Sequence, residues 1–304
     1  MEATSDRIPW ADAPRELTDE IGRLLGGSVV DAADQTGGYS AGLAVRVGTA
    51  GGSRAFVKAA PAELGGTVDL YRREAEVLRR LPDSVPAPAL LATIEVGDWF
   101  GLVTEEVDGR HPSTPPAHDE LRAILDTIGE FPDAGGLGLP RLVDELPFAA
   151  WPTLDADHAD RLTDLERRNV DRLTALAAAA GDHLVGDRLV HLDGRADNIL
   201  LDAGDRVWFV DWAWACLGAP WIDGLAVLLD ARLSGAPDTS ALLAHPLLAA
   251  VPAAGIDGVL AGLAGEFRLS SLQPAPPRMP ALRAFQAAEA RAARDWLVER
   301  GAIE

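Results

Sequence analysis

Four polar residues with side chains suited to catalysis or metal binding lie within residues 189–212. They are His191, Asp193, Asn198 and Asp211. Short apolar runs flank the first three, and the fourth ends a second apolar run. Residues 203–205, with the sequence Ala-Gly-Asp, supply a turn signal between the runs, so the pattern predicts a hairpin preceded by a polar loop. The four groups would then lie at one end of a small sheet.

The types and spacing of these side chains suit phosphoryl transfer. Asn198 and Asp211 offer oxygen donors, which hard cations such as Mg²⁺ prefer. Asp193, five residues before Asn198, can accept a proton from an incoming hydroxyl group, and His191 is expected to brace the loop through a hydrogen bond. The pattern H-x-D-x-x-x-x-N, followed by an apolar strand that ends in Asp, matches the catalytic loop and metal-binding aspartate of kinases. For any one of these residues alone, an ordinary hairpin with a polar turn is the competing interpretation.

This segment resembles the aminoglycoside phosphotransferase family, a branch of the protein-kinase-like fold, and so do the WAWA run at 212–215 and the GAPWID run at 218–223. The resemblance implies an α+β, two-lobed fold. A small, mostly antiparallel β lobe with one helix would precede a larger, mainly helical lobe. It also implies that Asp223 supports the catalytic loop from a helix. Arg195 has two open roles, neutralising phosphates or bonding a neighbouring loop.

Upstream, a short segment rich in glycine could approach a phosphate. Its relevant residues are Gly37, Gly38, Ser40 and Gly42. The glycines permit close backbone approach and the serine adds a hydroxyl group. The segment differs from the G-x-G-x-x-G motif of protein kinases, and a two-glycine turn is common. It therefore gains weight only from the residues that follow it.

Lys58 ends a short apolar strand and is the only lysine in the chain. A sequence that otherwise uses arginine suggests a role here for a compact ammonium group, such as reaching the α- and β-phosphates of a nucleotide. Glu74 lies sixteen residues later on a helix predicted over residues 68–81, where family members carry the acid that pairs with this lysine. Glu76 is a neighbouring alternative. Without the resemblance, either glutamate is a solvated helix residue.

The remaining pattern predicts the two lobes. Strands over residues 90–96 and 99–105 complete a five-stranded small lobe, and the family's hinge, whose backbone binds adenine, falls at Glu105 and Val107. The predicted division is residues 1–106 for the nucleotide-binding lobe, 107–118 for the hinge and linker, and 119–304 for the catalytic and acceptor-binding lobe. Further helices are predicted over residues 17–25, 120–130, 159–180, 222–233, 259–269 and 282–300, with a loop at 147–152.

The composition excludes some classes of partner. A net charge of −20 argues against nucleic-acid binding. It would steer a cationic small molecule towards the protein, but plain solubility explains the same charge and is preferred. No apolar run reaches the ~18–20 residues that span a bilayer, and residues 1–20 lack the apolar segment of a signal peptide. The single cysteine, Cys216, cannot form an internal disulfide, which fits the reducing cytoplasm. The protein is expected to be cytoplasmic and without membrane contact. It is also expected to be a monomer or a homodimer.

The combined pattern predicts phosphorylation of a small-molecule hydroxyl group with Mg²⁺ and ATP or GTP, the acceptor being an aminoglycoside or another antibiotic. A metabolite kinase for an amino alcohol, sugar or nucleoside is equally well supported. A metal-dependent phosphoesterase would leave Lys58 and the glycine segment unexplained. A nucleotide-binding protein without turnover is the other remote alternative. Four further acids are each interpreted as surface or structural residues: Asp230, Glu266, Glu289 and Asp295. Gly194, after the catalytic aspartate, is expected to loosen the loop.

Overall fold

The computed structural model describes residues 6–237 and 239–304. Packing divides the chain into two compact units. Unit 1 contains the chain up to His111, Asp197–Trp214 and Ala275–Leu282, and unit 2 contains Pro112–Ala196, Ala215–Pro274 and Arg283–Glu304. Each unit is described by itself. The lobe boundaries predicted from the sequence stay a prediction.

The strands and helices are numbered in chain order. The strands are β1 (Val29–Asp34), β2 (Leu43–Thr49), β3 (Arg54–Pro61), β4 (Leu90–Val96), β5 (Trp99–Thr104), β6 (Gly109–Arg110), β7 (Arg188–Val190), β8 (Ile199–Asp202), β9 (Val207–Phe209) and β10 (Cys216–Gly218). The helices are α1 (Arg15–Leu24), α2 (Gly65–Leu78), α3 (His118–Gly129), α4 (Leu142–Glu145), α5 (Ala150–Asp157), α6 (Asp164–Ala179), α7 (Gly181–Leu184), α8 (Trp221–Leu233), α9 (Pro246–Ala249), α10 (Ala253–Ser271) and α11 (Leu282–Glu299).

Unit 1 is built on a five-stranded sheet in the order β1-β2-β3-β5-β4, with every neighbouring pair antiparallel. Nearly every residue of the central strands β2 and β3 is buried, because helices and loops cover the sheet. The core joins alternate apolar residues of these strands to Leu17 and Ile21 of α1. Lys58 lies on β3, opposite Ala44 of β2 and Leu102 of β5. The predicted small antiparallel lobe is confirmed.

The predicted hairpin is also confirmed, and it belongs to unit 1. β8 and β9 are antiparallel, with Ile199 opposite Phe209, and β6 pairs with β8 on the other side. Asp202 closes the turn by accepting the backbone N–H groups of Gly204 and Arg206 at 2.8 and 3.1 Å. The short helical turn after the hairpin packs against α2.

Unit 2 is mainly helical. α8 is apolar around most of its surface and is therefore buried on all sides. α10 packs closely along α6, where a Cβ on Gly258 would lie 2.8 Å from the Leu176 carbonyl oxygen. The short strands β7 and β10 pair antiparallel, and the catalytic-loop segment follows β7. In the described ranges, no helix is long and apolar enough to cross a membrane.

Several predicted element boundaries differ from the structure: β3 continues past Lys58 to Pro61, α2 spans Gly65–Leu78 and not 68–81, and three further differences have a local physical reason. The segment 147–152, predicted as a loop, contains the start of α5 at Ala150, and Pro152 is tolerated because it lies in the first turn. α6 begins at Asp164 rather than 159, because Thr163 and Glu166 form a capping box there. α10 begins six residues before the predicted start at 259, directly after Pro252. Its first residues are Ala and Gly, which carry little hydrophobic periodicity.

Candidate functional site

The strand β3 and the helix α2 bring Lys58 and Glu74 together inside unit 1. The Lys58 Nζ atom donates to both carboxylate oxygens of Glu74, at 3.0 and 2.8 Å. Both side chains are buried, with 8% and 2% of their residue surfaces exposed. Glu76, the alternative partner, instead lies on the exposed side of α2, 3.8 Å from Arg80. Of the two glutamates weighed from the sequence, Glu74 is the one that contacts the lysine.

Asp211 supplies a second carboxylate to the same lysine. Its Oδ2 atom lies 3.2 Å from Lys58 Nζ. Burial acts to lower the pKa of Lys58, but the charges of Asp211 and Glu74 outweigh it and the pKa is raised. Burial raises the pKa of Glu74, and Lys58 opposes that shift. The ammonium group therefore remains charged and fixed between two acids.

The hairpin positions Asn198 and Asp211 at the same end. Ile199 pairs with Phe209, and the Val210 N–H donates to the Asn198 carbonyl oxygen at 2.9 Å, so the two chains leave the hairpin side by side. Asp211 has φ of 67°, a left-handed conformation that aspartate tolerates better than most residues. That turn ends the strand and presents its carboxylate to Lys58.

A cavity of about 930 Å³, part of it open to solvent, lies within unit 1. Most of the predicted nucleotide and metal residues line it: Gly37, Gly38, Lys58, Glu74, Glu105, Val107, Asn198 and Asp211. Ser40 and Gly42 do not. The sequence therefore identified the lining of one cavity from positions spread over more than 170 residues of chain.

The glycine segment connects β1 to β2 at the edge of this cavity. Gly38 has φ of 82°, which strongly favours glycine. Gly42 is required for packing, because a Cβ there would lie 2.6 Å from the Ala59 carbonyl oxygen and 2.7 Å from the Tyr71 hydroxyl oxygen. The Ser40 hydroxyl lies 3.3 Å from that of Tyr71. Phosphate binding by this segment stays a prediction.

The segment after β5 places backbone groups at the cavity. Glu105 is anchored through its N–H, which donates to the Ala89 carbonyl oxygen at 2.8 Å. Val107 is buried and lines the cavity. A buried backbone N–H group needs a hydrogen-bond partner. Within the described residues, the Val107 N–H group donates to no backbone carbonyl oxygen. Binding of a nucleotide base by this segment stays a prediction.

The donor set in unit 1 fits Mg²⁺. This ion commonly takes one or two carboxylates, with waters and substrate phosphates completing its octahedron. Asp211 offers a carboxylate and Asn198 an amide oxygen, and both line the cavity. In the described chain, no cluster of three or more His, Cys, Asp or Glu side chains is arranged to hold a metal. A Mg²⁺ ion bound here would therefore have few ligands from the protein.

In unit 2, Asp223 holds the start of the catalytic loop. Its carboxylate accepts the backbone N–H groups of His191 at 2.7 Å and Leu192 at 2.8 Å. Leu192 has φ of 64°, a strained conformation for a branched residue, and these bonds stabilise it. The His191 Nδ1 atom accepts the Asp193 N–H at 3.3 Å, which fixes the loop from inside. Burial raises the pKa of Asp223 to about 7, although the two backbone bonds oppose the shift.

The end of the loop is held by a second acid of the same helix. Asp230 lies two turns after Asp223 on α8, and its Oδ2 atom accepts the Ala196 N–H at 2.9 Å. Gly194, expected to loosen the loop, instead lets it approach α8, because a Cβ there would lie 3.3 Å from the Asp223 carbonyl oxygen. Two acids on one helix face therefore hold the two ends of the loop.

The central residues of the loop face α11. Arg195 stacks over the Phe285 ring at 5.2 Å, and its Nε atom lies 3.7 Å from Asp193 Oδ1. These contacts join Arg195 to its own loop and to a helix, so both roles considered for it, neutralising phosphates and bonding a neighbouring loop, stay predictions. Glu289, one turn after Phe285, is buried. Burial raises the pKa of Glu289 to about 8, and the Asp230 charge adds to that shift.

Two residues of the cavity were not identified from the sequence, and Asp230 was named as a surface or structural residue without its contact to the loop. Arg7 and Arg46 line the unit 1 cavity, and Asp230 holds the loop. Arg7 belongs to no motif, so no sequence signal could have found it. The seven-residue spacing from Asp223 to Asp230 was a usable signal, because it places both acids on one helix face.

Comparisons with known proteins agree with this geometry. Residues 36–251 match the profile of the phosphotransferase enzyme family. A search of curated protein sequences found no match. Among solved structures, the chain resembles a thermostable mutant of aminoglycoside phosphotransferase APH(4)-Ia in a ternary complex with ADP and hygromycin B, with a TM-score of 0.60 at 16% identity, covering 95% of this chain and 100% of that one.

Two further solved structures are kinases of small alcohols by name. Choline kinase LicA from Streptococcus pneumoniae gives a TM-score of 0.62 at 14% identity, covering 92% of this chain and 98% of that one. A choline/ethanolamine kinase family protein from Mesorhizobium loti gives a TM-score of 0.62 at 15% identity, and the match covers 92% of this chain and 95% of that one. These likenesses show the protein-kinase-like fold, which confirms the predicted fold class. Because the family profile spans well over half of the sequence, the chain belongs to the phosphotransferase enzyme family and is a small-molecule kinase.

Proposed function

We propose that this protein transfers the γ-phosphoryl group of ATP, or of GTP, to a hydroxyl group of a small molecule that carries a cationic amine. An aminoglycoside or another antibiotic is the first acceptor class, and an amino alcohol metabolite is the alternative. The observation that carries the proposal is the buried Lys58 ammonium group, fixed between Glu74 and Asp211 at a cavity that Asn198, Glu105 and Val107 also line.

On the donor side, the residues of unit 1 bind and orient the nucleotide. Lys58 directs its ammonium group to the α- and β-phosphates, and Glu74 restricts its rotamers. Backbone groups of Glu105 and Val107 bind the base. Asn198 and Asp211 would hold Mg²⁺, which when bound neutralises charge on the phosphoryl oxygens.

On the acceptor side, Asp193 orients the hydroxyl group and takes its proton as the bond to phosphorus forms. The loop conformation required for this is held by Asp223, Asp230 and the internal bond from His191. A one-ångström displacement of a catalytic group can reduce the rate about 10²-fold, so these supports bear directly on turnover.

The charges around the loop in unit 2 support a cationic acceptor. The Glu289 carboxyl group interacts electrostatically with two acids, Asp230 and Asp193, and with the Arg195 guanidinium group, which itself lies 3.7 Å from Asp193. Burial and the charge of Asp230 raise the pKa of Glu289, and an ammonium group bound nearby would lower it again and favour the ionised carboxylate, with which it would pair. A neutral sugar or nucleoside would gain neither effect.

Calorimetry and turnover test the two halves of the proposal. ATP and GTP should bind the wild-type protein with Mg²⁺ present, and Lys58→Met should weaken binding at least tenfold. ADP release should then be screened with aminoglycosides, amino alcohols, and neutral sugars and nucleosides in separate pools. Turnover confined to the neutral pools would contradict the cationic acceptor. Absence of ATP and GTP binding to the wild-type protein would contradict the proposed function as a whole.

A further inference from the structure

The segment before α1 is docked on unit 1 beside the glycine segment. The Trp10 N–H donates to Asp34 Oδ1 at 2.9 Å. Arg278 donates through Nε to the Asp6 carbonyl oxygen at 2.6 Å and through Nη2 to that of Arg7 at 3.2 Å. The Asp6 N–H donates back to the Arg278 carbonyl oxygen at 2.8 Å. These bonds fix the backbone on both sides of Arg7, so the fold determines where its side chain lies.

The Arg7 guanidinium group donates three hydrogen bonds to two oxygen atoms of the glycine segment. Its Nε and Nη2 atoms donate to the Gly37 carbonyl oxygen at 3.1 and 2.6 Å, and Nη1 donates to Ser40 Oγ at 2.6 Å. Ser40 is in turn 3.3 Å from the buried Tyr71 hydroxyl on α2. A Cβ on Gly38 would lie 2.9 Å from Arg7 Nη2, so the guanidinium group lies directly against this glycine. Arg7, in the segment before α1, therefore holds the glycine segment in place.

Arg7 retains donors for a ligand. A guanidinium group carries five N–H bonds in a planar fork, and the three bonds described above use three of them. Arg7 also lines the same cavity as Lys58 and Asp211. The two remaining N–H bonds suit the bidentate recognition of a phosphate.

The cationic side chains that line the cavity differ in their ion pairs. Three cations line the cavity in the described chain: Arg7, Arg46 and Lys58. Lys58 is paired with two carboxylates, and Arg46 lies 3.7 Å from Glu106. Among the described residues, no carboxylate oxygen forms an ion pair with Arg7. Asp197 also lines the cavity, but within the described residues Arg7 is the cavity cation that forms no ion pair, and a phosphate bound in the cavity would supply one.

We infer that Arg7 binds the phosphates of the nucleotide donor while anchoring the glycine segment over them. The N-terminal segment is then part of the donor site, and the positive charge facing the phosphates comes from Arg7 together with Lys58. This inference rests on the proposed function, because it takes the cavity to hold a nucleotide. It adds a phosphate-binding residue that lies outside every motif of the sequence.

Calorimetric titration of ATP, ADP and adenosine into the full-length protein with Mg²⁺ tests the inference. Arg7→Ala should raise the Kd of ATP and ADP about 10- to 100-fold, the range expected for lost charge-assisted hydrogen bonds. The Kd of adenosine should change less than about twofold, because adenosine carries no phosphate. Arg7→Lys should restore part of the ATP affinity, since it keeps the charge and loses the planar fork.

Arg15→Ala is the matched control. Arg15 also lies near the N-terminus, but its side chain is 91% exposed and pairs only with Asp19 on α1. Its loss should leave all three affinities unchanged. Wild-type ATP affinity in Arg7→Ala would overturn the inference and leave the proposed function standing. Equal losses for ATP and adenosine would also overturn it, because they would show a purely structural role for Arg7. Absence of ATP and GTP binding to the wild-type protein would overturn both.

Discussion

Replacing Asp223 with Asn tests how the catalytic loop is held. The wild-type carboxylate accepts the N–H groups of His191 and Leu192, and it is completely buried. Asparagine keeps the shape but offers one acceptor oxygen, so one of these N–H groups loses its partner. A buried unsatisfied donor costs about 1–3 kcal/mol of folding free energy. Leu192 is then free to leave its strained conformation, which displaces the neighbouring Asp193.

The same substitution removes a pH-dependent contribution to stability. Burial disfavours the charged form and raises the pKa of Asp223 to about 7 in the folded chain, whereas the ordinary pKa of an aspartate, expected in the unfolded chain, is 3.8. The folded state therefore binds a proton that the unfolded state releases. Its stabilising contribution is complete below about pH 4 and is lost as the pH rises to about 7. Linkage gives a loss of about 2–3 kcal/mol between pH 5 and pH 8 in the wild type, and none from the asparagine.

Urea unfolding of both proteins at pH 5, 6, 7 and 8 measures this contribution directly. The wild type should lose its stability advantage over Asp223→Asn as the pH rises, because all other titrating groups are shared and cancel in the difference. ATP affinity should be retained, since the cavity residues belong to unit 1, while kcat should fall at least tenfold. Asp155→Asn, at an exposed position on α5, should change neither quantity. Parallel stability curves together with an unchanged kcat would refute the reasoning.

Three further predictions follow from single contacts. Lys58→Met should reduce the free energy of unfolding by about 3–5 kcal/mol in urea at neutral pH, because it leaves a buried glutamate without its partner; an unchanged unfolding midpoint would contradict this. Gly42→Ala should lower the Tm and lose about 1–3 kcal/mol through overpacking, whereas Gly37→Ala, where a Cβ meets nothing within 4 Å, should keep the wild-type Tm. Asp230→Asn should lower the pKa of Glu289 from about 8 in a carboxyl-carbon NMR titration, because one of the charges that raises it is gone; a rise would contradict the assignment.

The sequence was most informative where local pattern and side-chain chemistry agree. The hairpin and the strands of the small sheet follow from alternating apolar residues and turn signals, and the structure confirms them. Lys58 was identified as the only lysine, and Glu74 was preferred to Glu76 as its partner through the family resemblance and not through spacing alone. Whether these residues act as predicted is a question of activity, and their roles stay predictions.

What the sequence could not give depends on contacts between distant segments. The bonds from Arg7 to the glycine segment join residues thirty or more positions apart, in segments without periodicity. The Asp230 bond to Ala196 depends on how α8 packs against the loop, which helix propensity does not specify. The start of α6 depends on a capping box that competes with several other polar positions nearby. These features become visible only when the chain is folded.

The central claim is that the loop aspartate of this kinase accepts the proton of an alcohol during phosphoryl transfer from ATP. The most direct measurement compares wild type and Asp193→Asn for formation of a phosphomonoester, by phosphorus NMR, with Mg²⁺, ATP and the best acceptor of the screen. We predict a product of the wild type whose rate of formation falls about 10²- to 10⁴-fold in the variant, with the ATP affinity retained. Equal rates in the two proteins, or formation of inorganic phosphate alone with every acceptor, would contradict the account.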